Sequence, residues 1–382
     1  MSVSPSGPQA GTLDSWLRAT LKAVCETSAP TFAESARADL VEAELRTAGL
    51  APVRDEAGNV IARLPGAVGA ADADGAAGTV ALVAHLDTVF GAEVDVTVSE
   101  GSDGRWRAPG IGDNSASVAI LLELGRSAAS GLLERRPPTV LAFTVGEEGL
   151  GDLRGARRLV EDLGGELAAF LAIDGHLGSV VDAGVGSHRL HACFRGDGGH
   201  AWGDYPSPSA VHALGDAVHE LSRVPVPDTP RCSLNVAQVG GGTAINAIAA
   251  EAWATVDLRS VSATSLDGLR TEVEKCLGSV AHRHGLALEL ETIGVRPAGR
   301  SDDGRLAALA SEALARNGLE MRLGASSTDA NAAMAAGIPA LCLGVYRGGD
   351  AHRLGEWIEP DSLWTGYSVL RTLLMLLANE PE

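Results

Sequence analysis

The chain has 382 residues, long enough for two domains, since ordinary domains run to about 100–200 residues. Hydrophobic residues make up 45% and aromatics only 4%, so a sizeable core is available but Leu, Val, Ile and Ala must build it. With 49 acids against 30 bases the net charge is −19, which excludes the basic stripe of a nucleic-acid binder and disfavours an anionic membrane surface.

Met1 to Gly11 is polar, without the basic start and apolar stretch of a signal peptide, and no apolar run reaches transmembrane length. Leu13 to Thr27 and Ala33 to Ala48 have the apolar spacing of amphipathic helices. Asn59 to Arg63 reads as a strand, and Ala67 to Gly78, rich in Ala, Gly and Asp, as a loose loop. A repeating rhythm then begins. Apolar runs at Val80–Ala84, Thr139–Val145, Leu167–Ile173 and Ala340–Val345 predict strands, and Ser115–Ser130 and Arg154–Asp162 predict helices. Continuous apolar strands alternating with helices mean strands buried on both faces, hence a mostly parallel α/β sheet.

Between these parts the rhythm changes. Strands are predicted at Ser187–Arg195, Ser233–Val239, Ala250–Leu258 and Leu286–Ile293, with helices at Ser209–Ser222 and Ser265–Arg283. The order β-α-β-β-α-β is the ferredoxin-like split unit. The expected organisation is therefore a larger α/β domain in two parts, 1–183 and 298–382, with a smaller α+β domain inserted at 184–297. Cys25, Cys193, Cys232, Cys276 and Cys342 are odd in number, scattered and without a C-x-x-C pair, which fits a reducing cytoplasm better than a disulfide framework.

The chemistry collects where the apolar runs end. His85, Asp87, Glu147, Glu148, Asp174 and His352 all follow such runs, and ligands of open α/β sheets bind outside the carboxyl ends of the strands. Asp113 joins them from the loop Gly110-Ile111-Gly112-Asp113-Asn114. One His or Asp after a strand is ordinarily a turn residue or a cap; two imidazoles and five acids at four strand ends are not. Imidazole and carboxylate donors without thiolate suit zinc, cobalt or manganese. There are too many for one catalytic ion, and two ions about 3.5–4 Å apart, bridged by a carboxylate, are the natural solution.

His85-Leu86-Asp87-Thr88, Gly112-Asp113-Asn114, Gly146-Glu147-Glu148-Gly149, Ile173-Asp174-Gly175 and His352 resemble metallopeptidase family M20, from about Leu13 to Leu377. Ser327-Thr328-Asp329-Ala330-Asn331 with Gly337-Ile338-Pro339 is most similar to its peptidase T side. The resemblance implies two zinc ions per subunit, His85 and Asp174 on one, Glu148 and His352 on the other, and Asp113 bridging, often with a cis peptide after it. It implies Glu147 as general base and Asp87 as the carboxylate that fixes the His85 tautomer.

In the inserted domain, Gly198-Gly199-His200-Ala201 resembles a lid histidine that stabilises an oxyanion, in dimeric members at the site of the other subunit. Asn246 and Arg259 resemble residues that hold the substrate's carboxylate end, although Arg259 alone also reads as a surface ion pair. Trp202, Asn114-Ser115 and Ala247-Ile248-Ala249 depart from common members at positions that bear on substrate rather than metal. The expectation is a cytoplasmic zinc exopeptidase or N-acyl amino acid amidohydrolase, dimeric through the lid. Its rivals are a phosphoesterase on the same metals and a non-catalytic peptide-binding relative.

Overall fold

A computed structural model of the protein describes residues 8–64, 78–133, 136–301 and 304–378. The expected loop up to residue 77 and the pair Asp302–Asp303 lie outside the described residues. The chain divides into two compact units, one formed by residues up to Gly184 and from Arg300 onward, the other by Val185–Gly299. Among the described residues no helix is long and apolar enough to cross a membrane.

The first unit is built on a mixed sheet. Its strands run in the order Val53–Arg54, Val60–Arg63, Thr139–Thr144, Thr79–His85, Leu167–Ile173, Ala340–Leu343, Ser179–Gly184, with Arg322–Ser326 also paired to Ser179–Gly184. The central four strands are mutually parallel. Antiparallel pairs flank them on both sides.

The apolar runs are explained by two cores. Side chains alternate across a strand. Val80, Leu82 and Ala84 accordingly enter one core cluster, and Ala81 and Val83 enter another. The first cluster is closed by helices Pro8–Glu26, Ser35–Thr47, Ser117–Ala129, Arg305–Arg316 and Ser362–Leu377, through residues such as Leu21, Val41, Leu121, Leu309 and Leu370. The second is closed by Arg154–Leu163 and Ala330–Ala335, through Leu159 and Met334. With helices over both faces, water reaches the central strands only at their ends.

The second unit is a four-stranded antiparallel sheet in the order Cys232–Gly241, Glu251–Ser260, Gly186–Arg195, Ala287–Arg296. Helices Ala210–Leu221 and Ala263–His284 complete the β-α-β-β-α-β order. One face carries its core: Ala252, Ala254, Val256 and Leu258 alternate inward against Leu214, Leu221, Val273 and Leu277. The longer helix starts where the Ser262 hydroxyl accepts the Ser265 N–H, and ends on Gly285 in the left-handed region at φ 66°.

Two differences from the sequence expectation bear on the site. The regular helix begins at Ser117 rather than Ser115, because Ile111–Ala116 forms a wide coil in which Asp113 and Asn114 leave helical geometry. A small sheet of Ser99–Glu100, Trp106–Arg107, Trp357–Ile358 and Gly348–Gly349 was not foreseen, since two-residue strands leave no periodic signal. It fixes the segment that carries His352.

Candidate metal centre

Three of the central parallel strands, a coil and the small sheet deliver the donors. His85 is the last residue of its strand, and Asp174 follows Ile173 directly with its N–H on the Leu343 carbonyl at 3.0 Å. Glu147 and Glu148 follow Thr139–Thr144, after Gly146 at φ 67°, where a Cβ would strike the Arg154 side chain. Asp113 arrives on the wide coil, and the Asp113–Asn114 peptide is cis. The Asn114 amide donates to the Ile173 carbonyl at 3.0 Å, tying this coil to the Asp174 strand. His352 is held at φ 64° between Gly348–Gly349 and Trp357–Ile358.

These elements bring five donors together around Asp113. One of its oxygens lies 3.1 Å from His85 Nε2, the other 3.0 Å from His352 Nε2. Asp174 approaches His85 Nε2 at 3.9 Å, and Glu148 approaches His352 Nε2 at 3.0 Å. Donor atoms of His85, Asp113 and Glu148 all fall within 4.8 Å of one another, the spacing a metal ion needs. Asp113 Oδ1, buried and 3.1 Å from His85 Nε2, makes no well-aligned hydrogen bond, which a cation would remedy. The residues therefore fit a metal centre of imidazole and carboxylate donors.

Charge makes the same point. Burial opposes protonation of His85, but Asp113, Asp87 and Glu147 outweigh it and hold the imidazolium well above its usual range. Hydrogen bonds to Asp113 and Glu148 push His352 up to about 11. Burial, then the Asp113 charge, pushes the Asp174 carboxyl up to about 7. Where these groups hold protons, metal binding would release them.

Asp87 is fully buried, but its carboxylate does more for the backbone than for the ring. Its oxygens accept the N–H groups of Glu147 and Glu148 at 2.9 Å each and the Thr31 hydroxyl at 3.0 Å. His85 Nδ1 lies 3.0 Å from the Asp87 carbonyl and 3.7 Å from its carboxylate, so the closer partner of the ring is the main chain.

Three buried charges of this region escaped the sequence reading. Glu34 accepts the Gly146 N–H at 3.0 Å and both oxygens meet Arg154 at 2.9 Å. Arg37, fully buried, donates to the carbonyls of Thr27 and Leu86 at 2.9 and 2.8 Å. Burial lowers its guanidinium to about 10 despite the Cys25 and Asp87 charges. Glu356 accepts the N–H groups of Gly110, Gly112 and Asp113, each at 2.8 Å. Their partners are mostly backbone groups, which no residue pattern announces. Asp329, singled out only as part of a motif, is buried and accepts the Thr144 hydroxyl at 2.5 Å. His176 packs edge-on against Tyr346, ring centroids 5.1 Å apart.

In the second unit, Gly199–His200 pairs with Ala247–Ile248, and Ala201 donates to the Asn246 carbonyl at 3.0 Å, so His200 and Asn246 are neighbours. His200 Nδ1 accepts two backbone N–H groups, from Trp202 at 3.1 Å and Gly203 at 3.2 Å. With Nδ1 used as an acceptor, the N–H of the ring is on Nε2. Arg259 stands on the four-stranded sheet, its Nε on Asp257 at 2.7 Å, an ion pair in which the Arg259 side chain is 43% exposed.

Among known proteins, Peptidase family M20/M25/M40 matches residues 81–376. No curated protein matches this sequence. Solved structures similar in fold include a tripeptidase from Staphylococcus aureus subsp. aureus Mu50, 21% identical, covering 96% of this chain and 99% of that one, with a TM-score of 0.82. Aminopeptidase PepT from Bacillus cereus ATCC 10987 is 20% identical, covers 96% and 99%, and has a TM-score of 0.77. Bacillus subtilis YxeP, described as a dinuclear metal-binding peptidase from the M20 family, is 17% identical, covers 96% and 98%, and has a TM-score of 0.69.

Proposed function

This chain belongs to peptidase family M20/M25/M40 and is a hydrolytic enzyme of the peptidase type, and from that premise we propose that it cleaves an amide bond in a small peptide or N-acyl amino acid bearing a free carboxylate. The observation that carries the reading is the Asp113 carboxylate, whose two oxygens face separate imidazoles, with Asp174 beside His85 and Glu148 beside His352. Two donor sets sharing one carboxylate support two ions, and the donor chemistry suits zinc. His85, Asp174, Glu148, His352 and Asp113 would hold them; when bound, they would lower the pKa of water and polarise the substrate carbonyl.

The chain's own groups do the rest. Glu147, buried beside the donors, takes a proton from the attacking water and later gives it to the leaving amine. Asp87 aims it by gripping the N–H groups of Glu147 and Glu148. Because neighbours in an extended segment point opposite ways, the two glutamates can hold different roles. On the inserted unit, His200 would present Nε2–H to a developing oxyanion, which its two Nδ1 acceptor contacts support. Asn246 and Arg259 would receive the substrate carboxylate, with the Arg259 donors not engaged by Asp257. In this reading the enzyme works in the cytoplasm as a homodimer through the inserted unit.

The test is hydrolysis of a panel of di- and tripeptides and N-acyl amino acids, with chelator and with zinc added back. Amide cleavage abolished by chelator and restored by zinc is expected. A metal-loaded protein that leaves every amide intact but cleaves a model phosphodiester would overturn the proposal.

A further inference from the structure

Glu356 is a carboxylate 1% exposed whose two oxygens accept three backbone N–H groups of one loop: Gly110 on Oε2, Gly112 and Asp113 on Oε1, all at 2.8 Å. Its own carbonyl accepts the Ala108 N–H at 3.1 Å, so a single residue is stitched along Ala108 to Asp113. Four positions earlier on the same segment, His352 Nε2 meets Asp113 Oδ2 at 3.0 Å. One segment thus grips Asp113 by its main chain and by its side chain. Burying a carboxylate is costly, and apolar residues of similar size would fill the space more cheaply.

The loop is shaped around this group. A Cβ on Gly112 would stand 2.8 Å from Glu356 Oε1 and 2.6 Å from the Tyr346 ring, so only glycine fits. Gly110 sits at φ 75°, in the region that favours glycine. Immediately downstream Ser117–Ala129 is a regular helix. Ahead of it Asp113 (φ −99°, ψ 96°) and Asn114 (φ −122°, ψ 27°) stand out of helical geometry, with the Asp113 carboxylate oxygens 3.1 and 3.0 Å from the Nε2 atoms of His85 and His352.

We propose that Glu356 is a positioning residue for the metal centre: by capturing the N–H groups of Gly110, Gly112 and Asp113 it fixes the direction of the bridging Asp113 carboxylate before metal arrives. The proposal rests on the metal reading of the site given above. It assigns Glu356 no contact with substrate or metal. Its effect is on metal affinity and coordination geometry, transmitted through the backbone of the Asp113 loop.

The experiment is titration of the chelator-stripped full-length protein with Co2+, following the visible absorption bands that report its coordination. Glu356→Ala, which removes both acceptors, should weaken binding about 10–100-fold and change the band pattern. Glu356→Gln keeps one acceptor oxygen but turns an amide donor toward another donor, and should fall between Glu356→Ala and the native protein. Should Glu356→Ala not fold, Glu356→Gln carries the comparison. A folded Glu356→Ala protein with native cobalt affinity and spectrum overturns the proposal, as does Glu356→Gln indistinguishable from native when Glu356→Ala cannot be made. If the native protein takes up no cobalt, or Asp113→Asn takes it up equally well, the metal reading itself has failed and the role of Glu356 falls with it.

Discussion

The two sheets of this protein place chemistry by opposite means. In the first unit, strands such as Thr79–His85 are buried along their whole length, so reactive groups can meet substrate only where the strands stop. In the second, Glu251–Ser260 alternates between buried and partly exposed residues, one face turned to solvent, and its polar groups ride on that surface or on loops. Glu147 and Glu148 are therefore fixed through main-chain N–H groups held by the buried Asp87, and Asp113 by His85, His352 and Glu356 on separate elements. His200 and Asn246 are held by one short ribbon of backbone hydrogen bonds. A sealed sheet makes a rigid, highly charged pocket rim, while a half-open sheet makes a platform whose residues can change without disturbing the core.

This contrast can be broken or sharpened by experiment. The largest effect is expected from Glu147→Gln, which should lower kcat about 10²–10⁴-fold while metal analysis shows unchanged content. Retained activity would remove the base from the first unit. His200→Ala should cost about 10²–10³-fold in kcat, with metal content and melting temperature unchanged, because His200 is exposed on its short ribbon. A fall in metal content in that variant would mean that the two regions are not separable as described.

Stability should divide the same way. Leu82, fully buried in the sealed sheet, should cost about 2–5 kcal/mol when replaced by Ala. Leu290, 39% exposed on the half-open sheet, should cost within about 0.5 kcal/mol by urea unfolding. The smallest effect concerns pH. Asp174, raised from 3.8 to about 7, and His352, raised from 6.5 to about 11, both bind protons more tightly folded than unfolded. Their stabilisation is complete at low pH and is lost as pH rises, over about pH 4–7 for Asp174 and about 6.5–11 for His352. Metal-stripped protein should then melt a few degrees lower at about pH 8.5 than at about pH 5.5, and metal should restore more at the higher pH. Scanning calorimetry showing the reverse order would contradict the assigned charges.

Much of the architecture was legible because burial on two faces leaves a continuous apolar run, and such runs end at His85 and Asp174 as read. The strand Leu167–Ile173 matches its prediction residue for residue. What the sequence hid has a common cause. Ser179–Gly184 mixes Asp182 and three small residues into its length, and Arg322–Ser326 is exposed throughout, so neither shows a period. Glu34, Arg37 and Glu356 act on carbonyls and N–H groups, which every residue possesses; only a fold can show which ones they meet. Asp87 illustrates the boundary. Its residue type and place were readable, but its grip on the Glu147 and Glu148 main chain was not.

The donors of the centre also set an order of events during folding. His352 meets Glu148 across 204 positions of the chain, and Glu356 meets Asp113 across 243. Closing such long loops is entropically slow compared with forming local helices, and domains emerge from synthesis from the N-terminal side first. The strands that carry His85, Glu148 and Asp174 are therefore available well before the segment that carries His352. Until that segment docks, Asp113 lacks both its second imidazole and the carboxylate that shapes its loop. Tight metal capture would consequently be a late step, one that marks a chain whose distant ends have already found each other.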